Sequence, residues 1–179
     1  GVGLIIDRDF RDNIRKIRDS FKKMKPFISI NNMYLLGING LIAMVRAILY
    51  QKSGNSEQAL LEIRMLMKKS NNSPILYKAS ATVYEAQENY ELAINDYTKA
   101  IELSPNSSSF YGGRGFCYFV IKNYSLSISD YTKEIELDPN NSDAYIRRAS
   151  CYESQENYEQ ALNDSNKAIE IDPNNSEAY

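Results

Sequence analysis

Apolar residues in the second half of the chain step by three and four, and each stripe stops at the same offset. Ile94, Tyr97 and Ile101 mark one stripe, and Ile128, Tyr131 and Ile135 repeat it 34 residues on. Such spacing predicts amphipathic helices with one face turned to a core. Polar punctuation recurs with it: Asn89, Asn123 and Asn157 break each stretch midway, and Pro105, Pro139 and Pro173 close it. Each unit is therefore expected to be two antiparallel helices, with turns near residues 54–56, 88–90, 122–124 and 156–158. A helical period of 34 predicts a stacked array, because one helical pair cannot bury its own apolar face.

The stretch "NYELAINDYTKAIELSPN" (89–106) returns as "NYSLSISDYTKEIELDPN" (123–140) and "NYEQALNDSNKAIEIDPN" (157–174). These units resemble the tetratricopeptide-repeat family. Tyr77, Ala81, Tyr84, Ala93, Tyr97, Ala100 and Pro105 occupy the signature places in one unit, and Tyr145, Ala149, Tyr152, Ala161, Ala168 and Pro173 in another. The unit between them offers Tyr111, Gly115, Tyr118, Tyr131 and Pro139, and departs from the small-residue pattern at Ser127 and Glu134. Gly40, Ala47, Tyr50, Ala59 and Ile63 fall in register one unit earlier. The resemblance implies an all-α, right-handed α-solenoid of helix–turn–helix repeats. It divides the chain into a degenerate repeat at 40–73, repeats at 74–107, 108–141 and 142–175, and the start of a further one at 176–179. Of the fourteen tyrosines, all but Tyr34 lie in repeat register, which predicts core packing rather than an aromatic binding platform.

Residues 1–39 stand outside the repeat and are expected to form a basic helical extension or a diverged capping repeat. Within them Phe10, Ile14, Ile17, Phe21 and Met24 form an apolar stripe, opposite eight basic side chains between Arg8 and Lys25. This face predicts packing on the array, with contact to a membrane surface or an acidic partner by residues 7–25 as the alternative. Charge is unevenly shared. Residues 1–39 hold eight basic and four acidic side chains, whereas residues 73–179 hold eight basic and seventeen acidic.

Composition then removes whole classes of chemistry. There is no histidine, so no imidazole base or ligand exists. Cys117 and Cys151 occupy equivalent places in successive repeats, roughly 10 Å apart and beyond a disulfide's reach. Free thiols suggest a reducing, cytoplasmic setting. "RGFCYFV" (114–120) and "YGGRG" (111–115) superficially match an RNA-binding strand and a phosphate loop, but both lie within the helical repeat. No catalytic residue, metal or cofactor and no nucleic-acid partner is expected. The opening "GVG" and the closing "SEAY" suggest a piece of a longer protein.

Arrays of the family bind peptides along the concave side, lined by the first helix of each unit. Projected onto this chain, the resemblance implies a peptide-binding set of Leu41, Met44, Ile48, Lys78, Thr82, Gly112, Gly113, Phe116 and Arg147. The two adjacent glycines are disfavoured in a helix. Either helix packing tolerates them or they leave a hollow for a partner. One subfamily grips the C-terminal EEVD tail of heat-shock chaperones with two Lys, two Asn and one Arg. Here Lys78 and Arg147 match, Thr82 and Gly113 replace the Asn residues, and Asp143 replaces a Lys. That ligand is therefore not expected; a short apolar-and-acidic peptide beside Phe116 is, with Lys78 and Arg147 orienting its acidic flank. The expected function is a protein–protein interaction scaffold. The alternatives are a targeting or regulatory region of a larger enzyme, or a structural subunit of a large assembly.

Overall fold

The computed structural model describes residues 55–69 and 73–174, and within them every regular element is an α-helix. There are seven: α1 (Ser56–Lys69), α2 (Pro74–Ala86), α3 (Tyr90–Leu103), α4 (Ser108–Val120), α5 (Tyr124–Leu137), α6 (Ser142–Ser154) and α7 (Tyr158–Ile171). Residues 1–39 and the first helix expected for 40–73, including Leu41, Met44 and Ile48, lie outside the described residues. By Cα proximity the chain divides into units 1–36 and 37–179, and the helices all belong to the second.

Consecutive helices pack as pairs, α2 with α3, α4 with α5 and α6 with α7, and each pair stacks on the next. The fold is an all-α solenoid of helix–turn–helix units. α4 also touches α6, more extensively than α5 touches α7, so across these two units the array bends toward its first helices and they line the inner side.

The turns show why asparagine and proline recur. After α2 the chain places Glu88 at φ 58°, a left-handed conformation repeated at Lys122 (63°) and Glu156 (59°). The Asn89 N–H then bonds the Tyr84 carbonyl at 2.8 Å and the Glu88 N–H bonds that of Glu85 at 2.9 Å, the paired closure of a Schellman motif. Asn89 and Asn123 accept the N–H of Leu92 and Leu126 through their side chains, capping α3 and α5. Asn157 holds the same place without that bond.

Small residues let the paired helices approach. Ala81 and Ala149 are buried where Gly115 stands between them in register, and a Cβ on Gly115 would lie 3.0 Å from the Tyr131 ring. Ser127, in the place of Ala93 and Ala161, is fully buried but satisfied: its hydroxyl donates to the Gly115 carbonyl at 2.7 Å and lies 3.1 Å from Cys151 Sγ. Tyr97, Tyr111, Tyr131 and Tyr145 are core residues. The expectation of core packing fails at Tyr158, which is 67% exposed because no described element lies beyond α7 to cover it.

Candidate functional site

The face that α2, α4 and α6 turn to the concave side collects the predicted residues that lie within the described region. Lys78 and Thr82 come from α2, Gly112, Gly113 and Phe116 from α4, and Arg147 from α6. Ala79, next to Lys78 on α2, is fully buried in the core with Leu76 and Val83.

Of the two readings of the adjacent glycines, the geometry favours packing: the space they leave is filled from within the chain. A Cβ on Gly112 would lie 2.5–2.7 Å from the carboxylate of Glu134, and one on Gly113 would lie 2.3–2.6 Å from the phenol of Tyr97. Glu134 and Tyr97 belong to the second helices, α5 and α3. Their side chains reach through the space that residues 112 and 113 leave bare, so second-helix groups floor the middle of the concave face. Glu134 replaces the alanine found at Ala100 and Ala168, while Gly112 replaces the larger Lys78 and Ile146 of the flanking units. The two departures compensate each other.

Glu134 is only 4% exposed. Its Oε1 accepts from Asn141 Nδ2 at 3.2 Å and faces Arg147 Nη1 at 3.7 Å, while Oε2 has no hydrogen-bond partner. Burial raises its pKa above the ordinary carboxylate range; Arg147 and Lys78 oppose the rise, and Asp138 and Asp143 reinforce it. Arg147 is shared, since its Nη2 lies 3.7 Å from Asp143 Oδ2. Burial lowers the pKa of Lys78, against the pull of Glu85 and Glu134, and its ammonium stands 6.0 Å from the Phe110 ring.

A second cluster surrounds Tyr97. Thr82 and Glu85 both act on the titration of its hydroxyl, and Cys117 Sγ donates to Glu85 Oε1 at 3.3 Å. Burial is the largest cause that raises Glu85, Tyr97 and Cys117 alike. Phe116 remains 42% exposed, with its ring edge-on to Tyr90 at 6.5 Å. Lys78 and Arg147 were expected to be open to an acidic peptide; Arg147 already faces Glu134 and Asp143, and Lys78 lies within the fields of Glu85 and Glu134. Glu85, Tyr97 and Glu134 were not anticipated as groups of this face. The legible signal was the pairing, within one unit, of a glycine where neighbours carry side chains with a glutamate where neighbours carry alanine.

Among the described residues no group of three or more Cys, Asp or Glu side chains could hold a metal ion, and no helix is long and apolar enough to cross a membrane.

A helical-repeat solenoid with a side-chain-lined concave face defines a class of protein-binding scaffold. The particular repeat that the chain is similar to is the tetratricopeptide repeat: the profile of that family matches two of its units, residues 74–107 and 142–175. Residues 108–141 form the same helical hairpin between them. Solved structures agree. The first such domain of Spaghetti (RPAP3), bound to the HSP90 peptide SRMEEVD, is 28% identical over 59% of this chain and 84% of that one, with a TM-score of 0.58. The Arabidopsis OM64 domain is 26% identical over 59% and 88%, also at 0.58. MamA shares the fold at 22% identity over 73% and 76%, with a TM-score of 0.68. No curated protein matches the sequence.

Proposed function

We propose that the chain is a non-catalytic interaction scaffold that binds a peptide or helix of a partner protein along its concave face. The supporting observation is Phe116: a large apolar side chain held edge-on to Tyr90 yet 42% exposed, on the same face as Lys78, Thr82 and Arg147. An anchor of that kind is what a bound side chain packs against. Catalysis is not part of the proposal. Burial pushes both thiols up, so neither is a ready nucleophile. A reducing, cytoplasmic setting belongs to the same reading, since Cys117 and Cys151 are free and buried.

Affinity capture from native extract with wild-type and Phe116→Ala baits tests the reading. Phe116→Ala should melt with the wild type and weaken at least one captured partner by about 2 kcal/mol. If the substitution lowers the melting temperature and affinities are unchanged below it, Phe116 serves packing and the binding face lies elsewhere.

A further inference from the structure

Glu134 is an unusual group for a repeat core. It is a carboxylate 4% exposed, with one oxygen lacking any hydrogen-bond partner and the other short of a full donor set. A buried carboxylate in this condition carries an uncompensated desolvation penalty. It lies along the direction in which residue 112 would point, where a groove side chain normally stands, and Gly112 supplies none. Nearby cations do not complete it. Arg147 approaches only to 3.7 Å and divides itself between Glu134 and Asp143 at equal distance. Lys78 feels the fields of both Glu85 and Glu134 rather than that of Glu134 alone. Around α4 the concave face therefore presents Glu85, Glu134 and Asp143 against Lys78 and Arg147.

We infer that this face selects a basic peptide, whose arginine or lysine side chain descends over Gly112 and donates to Glu134. The inference rests on the groove reading above and names its ligand chemistry. Arg147, with a side chain 43% exposed, is the side chain that yields. By turning fully to Asp143 it leaves Glu134 to the incoming cation, and each carboxylate then has a cation of its own. A guanidinium suits the place best because its forked donors can serve both oxygens at once. Phe116 lies one helical turn beyond Gly112, so an apolar residue next to the basic one can rest on it. An acidic ligand meets the reverse: Arg147 is already paired, and Glu134 and Asp143 repel it.

Blocked hexapeptides with a leucine–alanine frame and one position set to arginine, lysine, citrulline or glutamate, titrated into the full chain, test this. The arginine and lysine forms should bind at least about tenfold tighter than the citrulline and glutamate forms, as for a desolvated charge pair. In Glu134→Gln, which keeps the side-chain shape, that preference should vanish while the frame still binds. A peptide ending in EEVD should bind no better than its scrambled form. Binding without a preference for the basic residue, or a preference that survives Glu134→Gln, overturns the inference and leaves the groove reading standing. If no peptide binds, the groove reading falls and takes this inference with it.

Discussion

At Gly112 a Cβ would meet the Glu134 carboxylate at 2.5–2.7 Å, whereas the flanking units place Lys78 and Ile146 there opposite Ala100 and Ala168. The buried carboxylate cannot retreat into water, so Gly112→Ala should destabilise the array by about 1–3 kcal/mol, as overpacking does. In a Glu134→Ala background the same change should instead stabilise by about 1 kcal/mol, because the collision is gone and alanine is the better helix former. Urea unfolding of the four chains reads this coupling. A Gly112→Ala effect of one sign and size in both backgrounds would show that the two positions are independent. The same carboxylate also sets a pH dependence. Its folded pKa is raised by burial, so the folded chain binds its proton more readily than the unfolded chain. This stability is present at low pH and falls as pH rises from the ordinary carboxylate range through the raised one. Glu134→Gln should flatten that part of the stability profile; an unchanged slope assigns it to other carboxylates.

Between helices the decisive feature is the turn, and here it uses an awkward residue. Glu88, Lys122 and Glu156 all hold a left-handed backbone that glycine adopts freely, with the Schellman bonds formed nonetheless. Left-handed backbone costs an L-residue about 1–2 kcal/mol. Lys122→Gly should therefore stabilise the 108–141 hairpin by about 0.5–1 kcal/mol after the entropy lost by glycine, seen as a higher midpoint in denaturant. A lower midpoint would mean that the Lys122 side chain contributes more than its backbone strain takes away. Helix boundaries were legible in the sequence because asparagine, proline and apolar spacing recur every 34 residues. The floor of the concave face was not. It depends on Tyr97 and Glu134 crossing from second helices into gaps left by glycines, a complementarity between helices that no single-helix period displays. Ser127 was visible as a departure, but the Gly115 carbonyl that satisfies it was not.

Across the whole array, one polar ladder ties each unit to the one before it. Arg114 forks onto Asp130 with two bonds of 2.8 Å and reaches back to Thr98 at 3.0 Å, lying about 6 Å from the rings of Tyr111 and Tyr118. Thirty-four residues on, Arg148 does the same to Asp164 at 2.7 Å and to Thr132 at 3.0 Å, beside Tyr145 and Tyr152. Each guanidinium thus joins three helices of two units, the nearest-neighbour contact on which a solenoid's cooperativity rests. One unit earlier the roles are exchanged. Ser80 stands where the arginine should be, and Arg64, in the place of Thr98, supplies the guanidinium from the other side. Arg64 reaches the Tyr84 hydroxyl at 3.3 Å, and Asp96, held up by burial, is drawn back down by Ser80 and Arg64. If the ladder needs a guanidinium at this height but not from a fixed helix, the exchange should be reversible. Arg64→Thr alone should destabilise the α1–α3 end by roughly 1 kcal/mol, since Asp96 keeps partial access to water. Adding Ser80→Arg should restore it by rebuilding the geometry of Arg114, Asp130 and Thr98. Hydrogen exchange should show α3 losing protection in the single variant and regaining it in the double, with α6 and α7 unchanged in both. A double variant less protected than the single one would show that α1 holds its arginine for a reason other than the ladder.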